Sequence, residues 1–187
     1  MWFKDLSEHE DLVKPIAEIK PLLEKYYKDS GRVIFASEYS MLHYRYILPL
    51  KQITKQTKLP VKPTNLRVLE SDIAGPIAFH EVSLVKNKPE LFETFMDKRF
   101  FSDFNNAVLR LKSKEKDETK GEIRQLSIPA LNVDALWLHY GGGKVDKFVL
   151  IREFDLKDKE VYDENKFLIL LNDLKYKMGK MKGQMGA

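Results

Sequence analysis

Val-Asp-Ala-Leu-Trp-Leu-His-Tyr-Gly-Gly-Gly-Lys-Val-Asp-Lys-Phe-Val-Leu-Ile-Arg, residues 133–152, is the stretch from which the architecture is read. Two runs rich in β-branched and aromatic side chains flank Gly141-Gly142-Gly143-Lys144. A short glycine-rich connection suits a tight antiparallel reversal, so residues 133–140 and 145–152 are expected to form a β-hairpin. Residues 123–128 supply a further strand before it.

Upstream, residues 32–36, 40–48, 66–70 and 76–85 also carry strand signals, with a turn at 72–75 between the last two. In residues 40–48 Leu42, Tyr44, Tyr46 and Leu48 share one parity, and His43 and Arg45 the other. Helical signals come at the start, middle and end. Ser7 followed by Glu10 reads as a capping box. Pro15 and Pro21 then split residues 7–27 into two short helices, the second carrying Leu22, Leu23, Tyr26 and Tyr27.

Residues 89–111 read as one long helix capped by Asn87 and Glu90. Phe92, Phe95, Met96, Phe100, Phe104, Val108 and Leu111 recur along it at helical spacings, and Ser102-Asp103 offers a second cap. Phe92, Phe95, Phe100, Phe104 and Val108, with Trp137 or Leu136, are the expected core. Asp163 caps a last helix with Phe167, Leu170, Leu171, Leu174 and Met178 on one side, its acids first and its lysines last, as the helix dipole prefers.

Strands interspersed with few helices, without regular βαβ alternation, predict an α+β fold: a mostly antiparallel sheet with about three helical segments packed on it. A chain of 187 residues suits a single domain, expected over residues 1–178. Residues 179–187, with three glycines, are expected to fray as a basic tail. Residues 113–120 read as a charged solvated loop.

Cysteine is absent, which removes disulfides, thiolate zinc sites and thiol nucleophiles. With acids at the N-terminus where a signal peptide needs an apolar region, the composition points to the cytoplasm. Gly141-Gly142-Gly143-Lys144-Val145 departs from a phosphate-binding loop. Leu138 stands where its first glycine belongs and Val145 where its magnesium-holding hydroxyl belongs. His80-Glu81 and His9-Glu10 begin a zinc motif, but Leu84 and Val13 replace its second histidine. No Gly-x-Ser-x-Gly elbow occurs. Glu38, Ser40 and His43 are close in sequence without forming a known nucleophile motif. No cofactor, metal or catalytic residue is therefore assigned.

The net charge of +4 is unevenly placed. Residues 39–69 contain no Asp or Glu but carry Arg45, Lys51, Lys55, Lys58, Lys62 and Arg67. Residues 174–187 add Lys175, Lys177, Lys180 and Lys182, again without an acid. Everything else sums to −6. Tyr39, Tyr44 and Tyr46 lie among the cations, as in surfaces that stack bases while lysines meet phosphates. The six cations of residues 45–67 are the expected binding residues of a non-catalytic interaction module. Its partner would be an acidic protein surface or another polyanion, nucleic acid being the lesser possibility. Lysines guarding a sheet edge are the plain alternative. A small hydrolase built around His43, His80, His139 and carboxylates is the rival function, and a structural subunit of a larger assembly the third.

Overall fold

The computed structural model describes residues 2–34, 36–84, 89–115, 121–152 and 160–185, with side chains to residue 180. In chain order the elements are α1 (Glu10–Ala17), α2 (Lys20–Asp29), β1 (Glu38–Ile47), β2 (Asn65–Asp72), β3 (Gly75–Ser83), β4 (Glu90–Phe95), α3 (Lys98–Lys114), β5 (Glu122–Ile128), β6 (Val133–His139), β7 (Lys147–Arg152), β8 (Tyr162–Asp163) and α4 (Glu164–Met185). The α+β expectation holds: among the described residues, four helices rather than about three pack on one eight-stranded, mostly antiparallel sheet.

The strand order is β4-β3-β2-β1-β5-β6-β7-β8. Two four-stranded meanders run outward in opposite directions from their first strands. They meet where β1 and β5 pair in parallel, Tyr44 beside Arg124. A parallel pair needs a crossover, and α3 lies in the connection that brings the chain back from the β4 edge.

Helices cover both faces, so strand residues of either parity are buried. Under α3, Leu69, Phe79, Ile123, Leu136, Leu138 and Val149 pack with Phe100, Phe104 and Val108. On the opposite face Ile16 of α1 meets Leu42, Leu66 and Val68, while Phe167 and Leu171 of α4 meet Tyr46, Trp137 and Phe148. Phe148 and Phe167 stack with ring centroids 4.4 Å apart, a close pairing for aromatic side chains.

The strands read at 66–70 and 76–85 are present as β2 and β3 with the turn at 72–75 between them, β3 ending at Ser83, and the hairpin of β6 and β7 is present too. Gly141, Gly142 and Gly143 all have positive φ, at 64°, 61° and 86°, in the left-handed region that non-glycine residues adopt at a cost. Asp163 accepts from Lys166 N as a cap should. The last helix continues through Gly179 to Met185, past the expected point of fraying.

Four readings are corrected. Residues 89–97 do not begin a helix: Glu90–Phe95 is an edge strand, and Asp97 caps α3 by accepting from Arg99 N and Phe100 N. Ser102 and Asp103 then lie inside the helix, and Phe92 is 64% exposed instead of core. Ser7 caps nothing; Asp5 caps a short 3-10 turn, and α1 begins at Glu10 without a side-chain cap. Residues 32–34 form no strand. Arg32 instead ties α2 to the β2–β3 turn, donating to Asp72 at 2.9 Å and lying over the Tyr27 ring. Finally, Ser113 and Lys114 belong to α3. Phe35, Val85, Asn87, residues 116–120 and Gly186 lie outside the described residues.

Candidate functional site

The six cations expected to share one exposed face divide into two sets. Arg67, on the α3 side of β2, is 4% exposed. Its Nε donates to Glu81 Oε2 at 3.1 Å, its Nη2 donates to the same oxygen, and its Nη1 donates to Gln125 Oε1 at 2.8 Å. The Phe95 and Phe100 rings cover the guanidinium at 4.9 and 5.4 Å. Arg45 donates to Glu81 Oε1 and, at 2.8 Å, to Ser127 Oγ. Asn65 adds a donor to Glu81 Oε1, while Gln125 Nε2 and Ser127 Oγ donate to Asp134.

Two arginines and two carboxylates thus balance in one network across β1, β2, β3, β5 and β6. Arg67 is buried and the Arg45 side chain is only 15% exposed, both paired with Glu81, so the two are removed from the expected binding face. Their role is to satisfy buried polar groups where the sheet has no apolar filling. Burial works to raise the Glu81 carboxyl, but the cations of Arg67 and Arg45 and their hydrogen bonds prevail and hold it below the usual carboxylate range.

His43 adjoins this network, sealed beneath Phe104, whose ring stacks on it at 5.2 Å. The Met41 carbonyl, 2.7 Å away, can only accept, so Nδ1 carries the proton of the neutral ring. Nε2 then faces Gln125 Oε1 at 3.4 Å. Burial, reinforced by the Arg67 charge, lowers the pKa of His43 to about 4.

The unfolded chain takes up a proton on this histidine below pH 6.5 that the folded chain refuses until about pH 4. Stability from this group is complete above the unfolded value and falls as pH drops, by about 2 kcal/mol at pH 5. Urea denaturation at pH 7 and 5 checks it. His43→Gln should narrow its stability gap to the parent by that amount at the lower pH, whereas a constant gap contradicts a neutral buried ring.

The histidines do not converge. His80 is fully buried on the face opposite His43, donating from Nε2 to Glu70 Oε2 at 2.8 Å, with Thr94 Oγ1 3.0 Å from Nδ1. His139 lies on β6, four strand spacings and so roughly 19 Å from the β3 position of His80. It donates from Nδ1 to Asp146 Oδ2 at 2.8 Å, and Trp137 Nε1 donates to the same oxygen at 2.6 Å. His139 is the half-buried one of these three, its side chain 32% exposed. Burial and neighbouring Asp146 raise the Glu164 carboxyl above its ordinary range. The ring nitrogens of His43 reach Met41 and Gln125 rather than Glu38 or Ser40. Among the described residues, no group of three His, Asp or Glu side chains is placed to hold a metal ion.

Lys51, Lys55, Lys58 and Lys62 are all exposed. They sit in the connection from β1 to β2, between two inner strands, whereas the sheet ends on β4 and β8. The sheet-edge reading of these lysines is therefore set aside. The connection is held by Ile53, whose side chain is buried in the cluster under α4 with Phe167 and Leu171. Lys175 Nζ donates to Ile53 O at 2.5 Å and Asn172 Nδ2 to Thr54 O at 3.2 Å. Ile53, Thr54, Asn172, Lys175, Tyr176 and Lys180 line a shallow groove at this junction.

Two basic segments, far apart in sequence, thus meet. Lys177 and Lys180 are exposed on the same half of α4, with Asp173 as the exposed acid among them. Asn172 was not recognisable as a site residue from sequence, and Lys175 was visible only as one charge of the C-terminal basic segment. The one available signal was Ile53, an isolated large apolar side chain in a polar run, which marks an anchor.

Among the described residues no helix is long and apolar enough to cross a membrane. Comparison with family models, with curated proteins and with solved structures finds no match to this chain.

Proposed function

We propose that this protein is a non-catalytic interaction module of the cytoplasm whose β1–β2 connection and C-terminal helix together receive an acidic protein surface. The observation that carries the reading is the junction itself: Lys175 and Asn172 hold the backbone at Ile53 and Thr54. That brings the acid-free run of Lys51, Lys55, Lys58 and Lys62 to the lysine-rich half of α4. Like charges gathered this way add their fields over about a Debye length, roughly 10 Å at moderate salt, and attract an anion from solution.

The ammonium groups of the connection are exposed, as steering charges must be. Arg45 and Arg67, paired with Glu81 inside the sheet, add little to that surface. His43, His80 and His139, the histidines of the rival hydrolase reading, lie on three different strands and do not meet.

A fluorescently labelled poly-glutamate peptide provides the test. Binding followed by anisotropy should weaken steadily with salt. Lys55→Glu combined with Lys58→Glu should reduce affinity by about tenfold and leave the denaturation midpoint nearly unchanged, because exposed charges contribute little to folding. Equal affinity in the double variant would remove the basis of the proposal. Preference for single-stranded DNA over the peptide, with a steep salt slope from counterion release, would replace the acidic protein by nucleic acid.

A further inference from the structure

A second site is suggested by the irregularity in β1. Between Ser40 and His43 the register against β2 slips by one residue, since Ser40 faces Leu69 and His43 faces Arg67. The extra residue is accommodated by Met41, whose φ of +53° puts a non-glycine side chain in the left-handed region. Such conformations carry strain and persist where surrounding structure enforces them, often beside binding sites. Here the bulge places Met41 on the α3 face, where it lines a cleft of about 350 Å³.

The floor of the cleft is Leu69, Phe79 and Phe104, all buried. Phe101 forms a further wall, stacked on Phe79 with centroids 5.2 Å apart. At the mouth Ser102 and Asn105, one helical turn apart on α3, are exposed and supply the polar groups. None of the described lining residues is charged. This combination of apolar walls and a few polar groups at one end is the usual composition of a small-molecule pocket, and the volume falls at the lower end of the usual range.

We infer that the cleft binds a small, neutral, planar aromatic molecule of two fused rings with one polar substituent. The rings would lie against Met41, Pro76 and Phe101, the accessible walls above the buried floor, where Phe101 offers an aromatic contact. The substituent would reach Ser102 and Asn105 at the mouth. An anion of the same shape is disfavoured, because among the described residues no cation lines the cleft to offset its lost hydration. This site lies on the α3 face, apart from the lysine surface, and does not depend on that reading.

The probes are 2-naphthol and 2-naphthoate, which share the ring and differ in charge at neutral pH, titrated into the full chain labelled with nitrogen-15. Naphthol should shift the amides of Met41, Phe101, Ser102 and Asn105 saturably, and naphthoate should bind at least about tenfold more weakly. Ser102→Trp and, separately, Asn105→Trp fill the mouth from exposed positions. Each should weaken naphthol binding by about tenfold or more while the thermal midpoint stays unchanged. Absence of saturation up to the solubility of naphthol, equal binding of naphthoate, or undiminished binding in both filled variants would each overturn the inference.

Discussion

Replacing Phe104 with alanine is expected to lower the stability of the protein by about 3–5 kcal/mol, the range found when a large buried aromatic is truncated and a cavity remains. Phe104 is 1% exposed and sits where α3, β1, β3 and the N-terminal segment meet. Its ring stacks on His43 of β1, meets Phe79 of β3 edge-on at 5.2 Å, and lies 6.1 Å from Phe100 and 6.4 Å from Phe3. These rings are themselves packed, so the space cannot close by collapse of one neighbour. The loss also uncovers His43, whose neutral form depends on that burial. Chemical denaturation reads the effect as a lowered midpoint at unchanged slope. A midpoint within error of the parent would show that α3 does not close over the sheet.

An effect of similar size is expected at the opposite kind of site. Glu81→Leu should cost about 3–5 kcal/mol, because it strands two guanidinium groups that share one carboxylate in the interior. Arg67 loses its ion-pair partner while Phe95 and Phe100 still cover it, and Arg45 and Asn65 lose an acceptor. Combining Glu81→Leu with Arg67→Met removes a charge of each sign and should recover much of the loss, since apolar groups tolerate that environment. The decisive comparison is between the single and double variants. If the double variant is less stable than Glu81→Leu alone, the network holds the fold by something other than charge balance.

The second meander was legible almost throughout. Its strands are bounded by Pro129 and the three glycines, its hairpin loop requires glycine conformations, and Asp163 announces α4. The first meander hid three irregularities. In β4 the register slips between Glu81/Glu93 and Val82/Leu91, so Phe92 is an extra residue and the alternation of Leu91, Glu93 and Phe95 is interrupted. What remains, Phe92 to Phe95 to Met96, imitates helical spacing, and the true cap at Asp97 was passed over.

A similar slip governs the polar network. Counting back from the turn at 72–75 sets Arg67 against His80, but the irregularity at Glu70/Ser71 moves it opposite Glu81. One residue of register changes which face each side chain serves, and no local pattern marks it. The remaining obstacle was burial of both faces. Arg67 was expected on an exposed face, yet it lies inside the molecule with His43, Glu81 and Gln125, because helices cover both faces of the sheet.

The candidate site was half visible for a related reason. Charge counting found both basic segments, but their meeting depends on Ile53 entering the α4 core, a contact separated by more than one hundred residues of chain. Parity excluded neither arginine, because it gives a face and not what covers it.

The proposal that loop and helix act as one surface is tested most directly by measuring the affinity of the poly-glutamate peptide for four proteins at one low salt concentration. These are the parent, Lys55→Glu with Lys58→Glu, Lys177→Glu with Lys180→Glu, and all four reversals together. A shared surface predicts that reversal on either segment weakens the same binding event by about tenfold, and that the fourfold variant binds no peptide measurably. Loss of binding from the loop reversal with none from the helix reversal, in a protein of unchanged stability, would contradict the joined surface on which the function rests.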